Sequence, residues 1–308
     1  MTGLDAGGSV LMARSDAADL AVFESYRALL VALAYRMLGD LGRAEDMVQE
    51  AWLRWRGRRE DADSPRAYLV TVVTRLCLNE LDSAKARHEE SRRDRLPEPV
   101  DLDEGGIGRL ESLDRVSMAF LVVLQRLTPA ERAVLLLHDV FDFAHDEIAT
   151  LVGKSEAASR KLLERARQNV ATEKRLFSTS QEAHRRLLGA FMQATYAGDV
   201  GALVAMLAED AVLITDGGRE GRSVGGLRNL RVPLHGAARI ATFVIEATRR
   251  VSATLEVEEH TLNGQPAIVL YREGAPFAAI LLGVADGRIH RVFFHADTAR
   301  LRHLGPRH

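Results

Sequence analysis

The sequence predicts a multidomain chain: two all-α domains, the second a helix-turn-helix, followed by an α+β domain with an antiparallel sheet. Three observations predict it. Apolar residues recur at helical spacing from Val22 to about Phe177. That period disappears between about His88 and Gly108, where Pro97, Pro99 and two adjacent glycines sit among charges. From Gln181 onward, helices give way to short strand-like runs separated by Asn-Gly, Glu-Gly and Asp-Gly pairs. A chain of 308 residues is also long for one core and comfortable for two or three domains.

Phe23, Tyr26, Leu30, Leu33 and Met37 form one apolar stripe that ends at Gly39-Asp40, as expected of a core-facing helix. A second helix is predicted from about Arg43 to Arg56, with Met47, Val48, Ala51, Trp52 and Trp55 inward. Glu45, Asp46, Gln49, Glu50 and Arg54 then face outward. Ser64 suits an N-cap and Pro65 a first helical position, opening a third helix through Tyr68, Val72, Leu76 and Asn79 to about Arg87. Residues 1–20 mix Gly, Ala, Ser and Asp and read as a loose tail without the apolar middle of a secretory signal. The first helical domain is therefore placed at 21–90, a linker at 91–109 and the second helical domain at 110–178. Within the linker, Leu96-Pro97-Glu98-Pro99 precedes an acidic knot of Asp101, Asp103 and Glu104.

The third domain is placed at 181–304. It begins with helices at Glu182–Tyr196 and Val200–Ala208, an extended run at Ala211–Thr215, a Gly/Arg-rich loop and a helix near Ala237–Arg250. Strands are expected at Val251–His260, Ala267–Tyr271, Phe277–Val284 and Ile289–Phe294. Turns this short predict an antiparallel meander, because neighbouring antiparallel strands need no crossover.

A formal net charge of -2 argues against bulk electrostatic coating of nucleic acid, so any DNA contact must be local. No run of about 18 apolar residues marks a membrane span. The single cysteine, Cys77, lies in a helical pattern; it excludes an internal disulfide and reads as a small core residue in a reducing, cytoplasmic compartment.

The strongest functional signal runs from Asp142 to Arg167. His145–Val152 forms a short helix, Gly153 permits a tight turn, and Ser155 caps a second helix. On that helix Ser159, Leu163, Ala166 and Val170 lie inward, while Arg160, Lys161, Glu164, Arg165 and Arg167 face out. With Ala157 and Ala158 keeping the first turn slim, such a helix can enter a major groove. An ordinary antiparallel helix pair with a solvated basic face fits the same pattern.

Leu127-Thr128-Pro129-Ala130-Glu131-Arg132, Glu147-Ile148-Ala149, Lys154-Ser155-Glu156 and Arg165-Ala166-Arg167 resemble the fourth conserved region of extracytoplasmic-function (ECF) sigma factors. Ala44-Glu45-Asp46-Met47-Val48-Gln49-Glu50-Ala51-Trp52 resembles that family's second region. The two motifs stand in family order and cover roughly the first 175 residues. The resemblance implies core RNA polymerase and promoter DNA as partners; no cofactor is expected, and the lack of closely spaced ligand pairs and of a long apolar run gives no sign of a metal or a membrane. It assigns Asp46, Gln49, Glu50 and Arg54 to polymerase binding, and Arg75, Asn79, Lys85 and Arg87 to the -10 element, aided by the Gly57–Asp63 loop. Ser155, Ala158, Arg160, Lys161 and Arg165 are assigned to the -35 element. Glu80 and Asp82 depart from the neutral or basic residues of relatives and imply weaker or displaced -10 electrostatics. Ser159 replaces a β-branched residue and implies looser packing under the reading face.

Residues from about Gln181 resemble a SnoaL-like domain of the NTF2-like superfamily, carried by Tyr196-Ala197-Gly198-Asp199, Glu209-Asp210-Ala211-Val212-Leu213 and Asp216-Gly217-Gly218. The resemblance implies a cone-shaped curved sheet, allows a homodimer through that sheet, and allows a small-molecule ligand in the cone. Some ECF sigma factors carry this extension together with a Leu-Pro-Glu-Pro linker and an Asp-Gly-Gly loop. Leu96, Pro97, Glu98, Pro99, Asp216, Gly217 and Gly218 are accordingly assigned to regulation. An enzyme reading makes Asp216 a general base aided by His235, His260, Arg272, His290 or His295; with no paired carboxylates or His at close spacing, regulation without catalysis is preferred. A helix-turn-helix regulator independent of polymerase is the remaining alternative.

Overall fold

The computed structural model describes residues 6–56, 58, 64–86, 95–101, 117–171, 173, 176, 179–218, 223–224, 227–228, 230, 232–251 and 255–307, with side chains from residue 17 except at 84–86, 223–224 and 227–228. The chain divides into two compact units that cut across the linear order. Among the described residues, the first unit holds helices α1 (Ala6–Leu38), α2 (Leu41–Trp55) and α3 (Pro65–Ala86). It also holds α5 (Pro129–Asp139), α6 (His145–Val152) and most of α7 (Glu156–Ala171). The second unit holds residues 95–101, α4 (Met118–Arg126), the end of α7 and everything beyond.

In the first unit α1 starts at Ala6, inside the segment expected as a loose tail. With no proline before Pro65, nothing covalent stops the helix from extending toward the N-terminus. Leu30, Leu33 and Met37 are fully buried, as the apolar stripe predicts. Trp55 packs under α1 and its indole N–H donates to the Asp19 carbonyl at 3.1 Å. Residues 131–137 of α5 are all buried. A helix without a wet face needs neighbours on every side. The Arg132 guanidinium caps the Met37 carbonyl, and Arg66 donates to the Phe141 carbonyl at 2.8 Å, so α1, α3 and the α5–α6 corner form one body.

The second unit begins its α+β part with α8 (Gln181–Ala197), α9 (Val200–Met206) and β1 (Leu207–Asp216). Two short strands, β2 (Ser223–Val224) and β3 (Leu227–Arg228), pair with each other, and β4 (Leu234–His235) leads into α10 (Ala237–Val251). The meander follows as β5 (Glu256–Leu262), β6 (Gln265–Arg272), β7 (Ala275–Ala285) and β8 (Arg288–His295), and α11 (Thr298–Leu301) runs into a 3-10 turn at Arg302–Leu304. The six-stranded sheet has the order β4-β1-β8-β7-β6-β5. Strands β5 to β8 pair antiparallel, as their turns predict. The sheet is nevertheless mixed, because β1 pairs with β8 in parallel. The route through β4, α10 and the meander supplies the long connection that a parallel neighbour requires. The first meander strand also starts at Glu256 rather than Val251, because α10 runs to Val251, with Arg249 and Arg250 favouring its C-terminal end.

Both sheet faces are covered. Leu188 and Phe191 of α8 and Ile240 and Ile245 of α10 pack on Ile268, Leu270, Ile280, Leu282 and Val292. On the other face Val269, Tyr271, Leu281 and Phe293 pack with Leu96 of the linker, Met118 of α4, Leu301 and Leu304. Strands buried on both sides read as continuous apolar runs, and Phe277–Ala285 is one.

Candidate nucleic-acid interface and linker clamp

The first unit presents its polar residues outward. Asp40 caps α2 by accepting from the Arg43 N–H at 3.0 Å, which fixes the start of the helix and therefore its phase. Ala44, Val48, Ala51 and Trp55 are buried, leaving Asp46, Gln49 and Arg54 exposed and Glu50 half-buried on the far side. Glu50 and Arg54 pair across one turn at 3.1 Å. Leu53 lies 56% exposed beside them, an apolar side chain that helical periodicity marks only as a misfit. On α3, Arg75 and Asn79 are exposed, while the Lys85 side chain, Arg87 and, except for Arg58, the Gly57–Asp63 loop lie outside the described residues. Glu80 is ion-paired with Arg43 of α2, so its negative charge is neutralised within the unit. Cys77 is buried and its thiol is pushed up to about 12 by desolvation, with the nearby Arg132 acting in the opposite direction. Such a thiol is inert at neutral pH.

Thr128 and Glu131 form a reciprocal capping box at the start of α5, with bonds of 3.0 and 3.3 Å. Gly153 turns the chain with φ +65°, and the Ser155 hydroxyl accepts from the Ala158 N–H at 3.2 Å to start α7. Ser159, Leu163 and Ala166 face the core. The Ser159 hydroxyl lies 3.0 Å from His145 Nδ1, so the polar atom on the inward side of α7 has a partner. Arg160, Lys161 and Arg165 are exposed and Ala158 is half-buried. Arg160 pairs with Glu156 one turn back, and Arg165 Nε is held 3.0 Å from Glu131 of α5.

The second unit does the reverse with its polar residues. Leu96, Pro97, Glu98, Pro99 and Val100 are all buried. The Leu96 N–H donates to Asp216 Oδ2 at 3.1 Å, and Arg300 Nη1 donates both to the Leu96 carbonyl at 2.7 Å and to Asp216 Oδ2 at 3.0 Å. Arg95 pairs with Asp297. The other Asp216 oxygen accepts from the Gly218 N–H at 3.0 Å. Gly218 has φ +80°, and a Cβ there would stand 2.9 Å from Asp297 Oδ2, so conformation and space both require glycine; Gly217, its neighbour in the loop, is half-buried. Farther along, His303 Nε2 lies 2.7 Å from the Pro99 carbonyl and Nδ1 lies 3.3 Å from Glu98. Arg95, Arg300 and His303 carry much of this clamp, yet no motif or periodicity singles them out; Arg300 meets Leu96 across 204 positions of sequence.

Asp216 lies on the linker-covered face of the sheet. Leu213 packs on the helix-covered face and Ile214 on the linker-covered face, so strand alternation puts Asp216 with the linker. Of the five proposed helpers, His295 is opposite Asp216 in the sheet, buried, and held neutral by burial and by Arg300. His235 is exposed, His290 lies 3.4 Å from Asp210, His260 contacts the Tyr271 hydroxyl at 3.0 Å, and Arg272 stacks on Phe277. Among the described residues no group of His, Cys, Asp and Glu is placed to hold a metal ion, and no helix is long and apolar enough to cross a membrane.

Residues 22–87 match the family model of sigma-70 region 2, and residues 117–170 match that of sigma-70 region 4. The chain is 34% identical over 286 residues to the ECF RNA polymerase sigma factor SigJ of Mycobacterium tuberculosis, covering 88% of this chain and 89% of SigJ. It is 31% identical over 282 residues to the probable ECF RNA polymerase sigma factor SigI of the same organism, covering 88% and 91%. The crystal structure of the M. tuberculosis extracytoplasmic function sigma factor SigJ superposes with a TM-score of 0.71 at 28% identity, covering 92% of this chain and 98% of that one. The likeness therefore extends through the α+β part as well as the helices.

Proposed function

This chain belongs to the ECF RNA polymerase sigma factors, and on that premise we propose that its exposed helix faces bind polymerase and promoter while its C-terminal domain restrains it by holding the linker. Sigma factors bind core RNA polymerase and promoter DNA. In this chain the outward side of α2, with Asp46, Gln49, Glu50 and Arg54, docks on polymerase, and Leu53 adds an apolar contact. Arg75 and Asn79 of α3, with Lys85 and Arg87, serve the -10 element. Ser155, Ala158, Arg160 and Lys161 serve the -35 element; Arg165 joins them once it leaves Glu131.

The observation that carries the regulatory half is the double grip on Leu96, whose N–H is taken by Asp216 and whose carbonyl is taken by Arg300. A carboxylate with these bonds is engaged with its own chain, which favours regulation over general-base chemistry. The linker and α4 also cover the outer sheet face, so pairing through that face would require them to leave first. The direct test is reconstituted transcription with core polymerase. Asp216→Ala and Arg300→Ala in the full chain each raise promoter output at subsaturating chain, and output equal to the natural chain's would contradict the regulatory half. Point variants serve better than truncation near Ser180, which would strip the cover from Leu96, Met118 and Leu176.

A further inference from the structure

Helix α7 buries Ser159, Leu163 and Ala166, and the first of these is polar and fully withdrawn from water. A buried hydroxyl costs free energy unless it is hydrogen-bonded, a cost that an apolar side chain in the same contact does not carry. The partner of this hydroxyl is His145, the first residue of α6. His145 is half-buried and stands on a fixed base. Its ring lies 4.8 Å, centroid to centroid, from that of His138 at the end of α5, tilted by 34°. His138 is held in turn by Asp139, whose Oδ1 lies 2.9 Å from Nδ1. The corner between α5 and α6 is pinned by the buried Phe141 and Phe143 and by the Arg66 bond to the Phe141 carbonyl. At the start of α6 the Glu147 carboxylate accepts from the Ala144 N–H at 2.8 Å.

Apolar burial is non-directional, whereas a hydrogen bond weakens steeply as its geometry departs from the preferred one. Leu163 and Ala166 therefore resist separation of α7 from the unit, and the Ser159–His145 bond resists rotation of α7 about its own axis. The rotation so fixed is that of Ser155, Ala158, Arg160 and Lys161, all within four positions of Ser159. At about 6 Å from the axis, a rotation of roughly 10° moves a side chain by about 1 Å. That shift breaks a hydrogen bond to a base edge. A phosphate contact survives it, because charge attraction falls off slowly with distance. We infer that His145 is a positioning residue for -35 recognition: through Ser159 it fixes the rotation of α7, and so governs which bases are read without itself touching DNA. This rests on the -35 reading of α7 above.

Equilibrium binding of the full chain with core polymerase to two DNAs tests this. One is a promoter that the natural holoenzyme enriches from a library randomised at the -35 element; the other is the same promoter with that element scrambled. His145→Ala and Ser159→Ala are each expected to lose roughly tenfold in the ratio of selected to scrambled affinity, with the scrambled affinity unchanged. His145→Asn, whose amide reaches the place of Nδ1, is expected to recover most of the ratio. An unchanged ratio in either alanine variant would overturn the inference, as would an equal loss on both DNAs or a His145→Asn variant as poor as His145→Ala. Where His145→Ala fails to fold, Ser159→Ala, which removes a single oxygen, decides alone. Arg160→Ala combined with Lys161→Ala separates the inference from its premise. If the natural holoenzyme enriches no -35 sequence, or this double variant keeps the ratio, the -35 reading falls and the inference with it. If the double variant loses the ratio while His145→Ala keeps it, the inference alone falls.

Discussion

The recognition helix and the linker clamp use the same kinds of side chain in opposite ways. On α7, Arg160 and Lys161 stand in water, and among the described residues Arg160 pairs only with Glu156 of its own helix, one turn away. In the α+β domain, Asp216 and Arg300 are withdrawn from water and spend their hydrogen bonds on the chain's own backbone. A face meant for another molecule stays solvated until that molecule arrives. A face meant for the same chain can be desolvated permanently, provided every charge is paired.

The comparison breaks most readily at the buried end. Asp216→Ala removes the carboxylate shared by Arg300 and the Leu96 N–H, and breaking a buried pair this way costs about 3–5 kcal/mol. Thermal unfolding of the full chain should show that loss in the C-terminal transition. A comparable effect follows from pH. Burial lowers the pKa of His184 to about 4 from the ordinary 6.5. The unfolded chain therefore binds the extra proton first as pH falls, so the stabilisation is complete above pH 6.5 and disappears progressively toward pH 4. The loss amounts to about 3 kcal/mol, and His184→Leu should flatten the dependence of the unfolding midpoint across that window.

The exposed end should respond differently. Lys161→Ala should leave the unfolding midpoint unchanged and lower the salt dependence of -35 binding by about one unit in log-log slope, if it meets a phosphate. Arg165→Ala should do less to DNA affinity and more to stability, because its guanidinium braces Glu131. The smallest effect concerns Cys77: a thiol raised to about 12 should resist alkylation in the native chain at pH 8 and react only on unfolding.

The same contrast governs what could be read without coordinates. Helix phase depends on neighbours three and four residues away, so Ser159, Leu163 and Ala166 inward and Arg160 and Lys161 outward were legible from the chain. The turns at Asn263, Glu273 and Asp286 were equally local, and all three adopt positive φ. The clamp was not legible in this way. Asp216 and Gly218 stood out as a loop, but their partners Arg95 and Arg300 lie 121 and 84 positions from Asp216 and carry no periodic mark. The parallel register of β1 beside β8 was hidden for the same reason, since pairing partners are chosen by tertiary packing. One local clue to the missing cover did exist. The unbroken apolar run Phe277–Ala285 is too hydrophobic for a strand with one wet face, and the linker with α4 is what keeps its second face dry.

The central claim, that the C-terminal domain holds the linker through Asp216, is tested most directly by the exchange rate of the Leu96 amide in the full chain. The account predicts strong protection in the natural chain and a loss of roughly a hundredfold in Asp216→Ala, with the α7 amides unchanged. An equally protected Leu96 amide in both chains would contradict it.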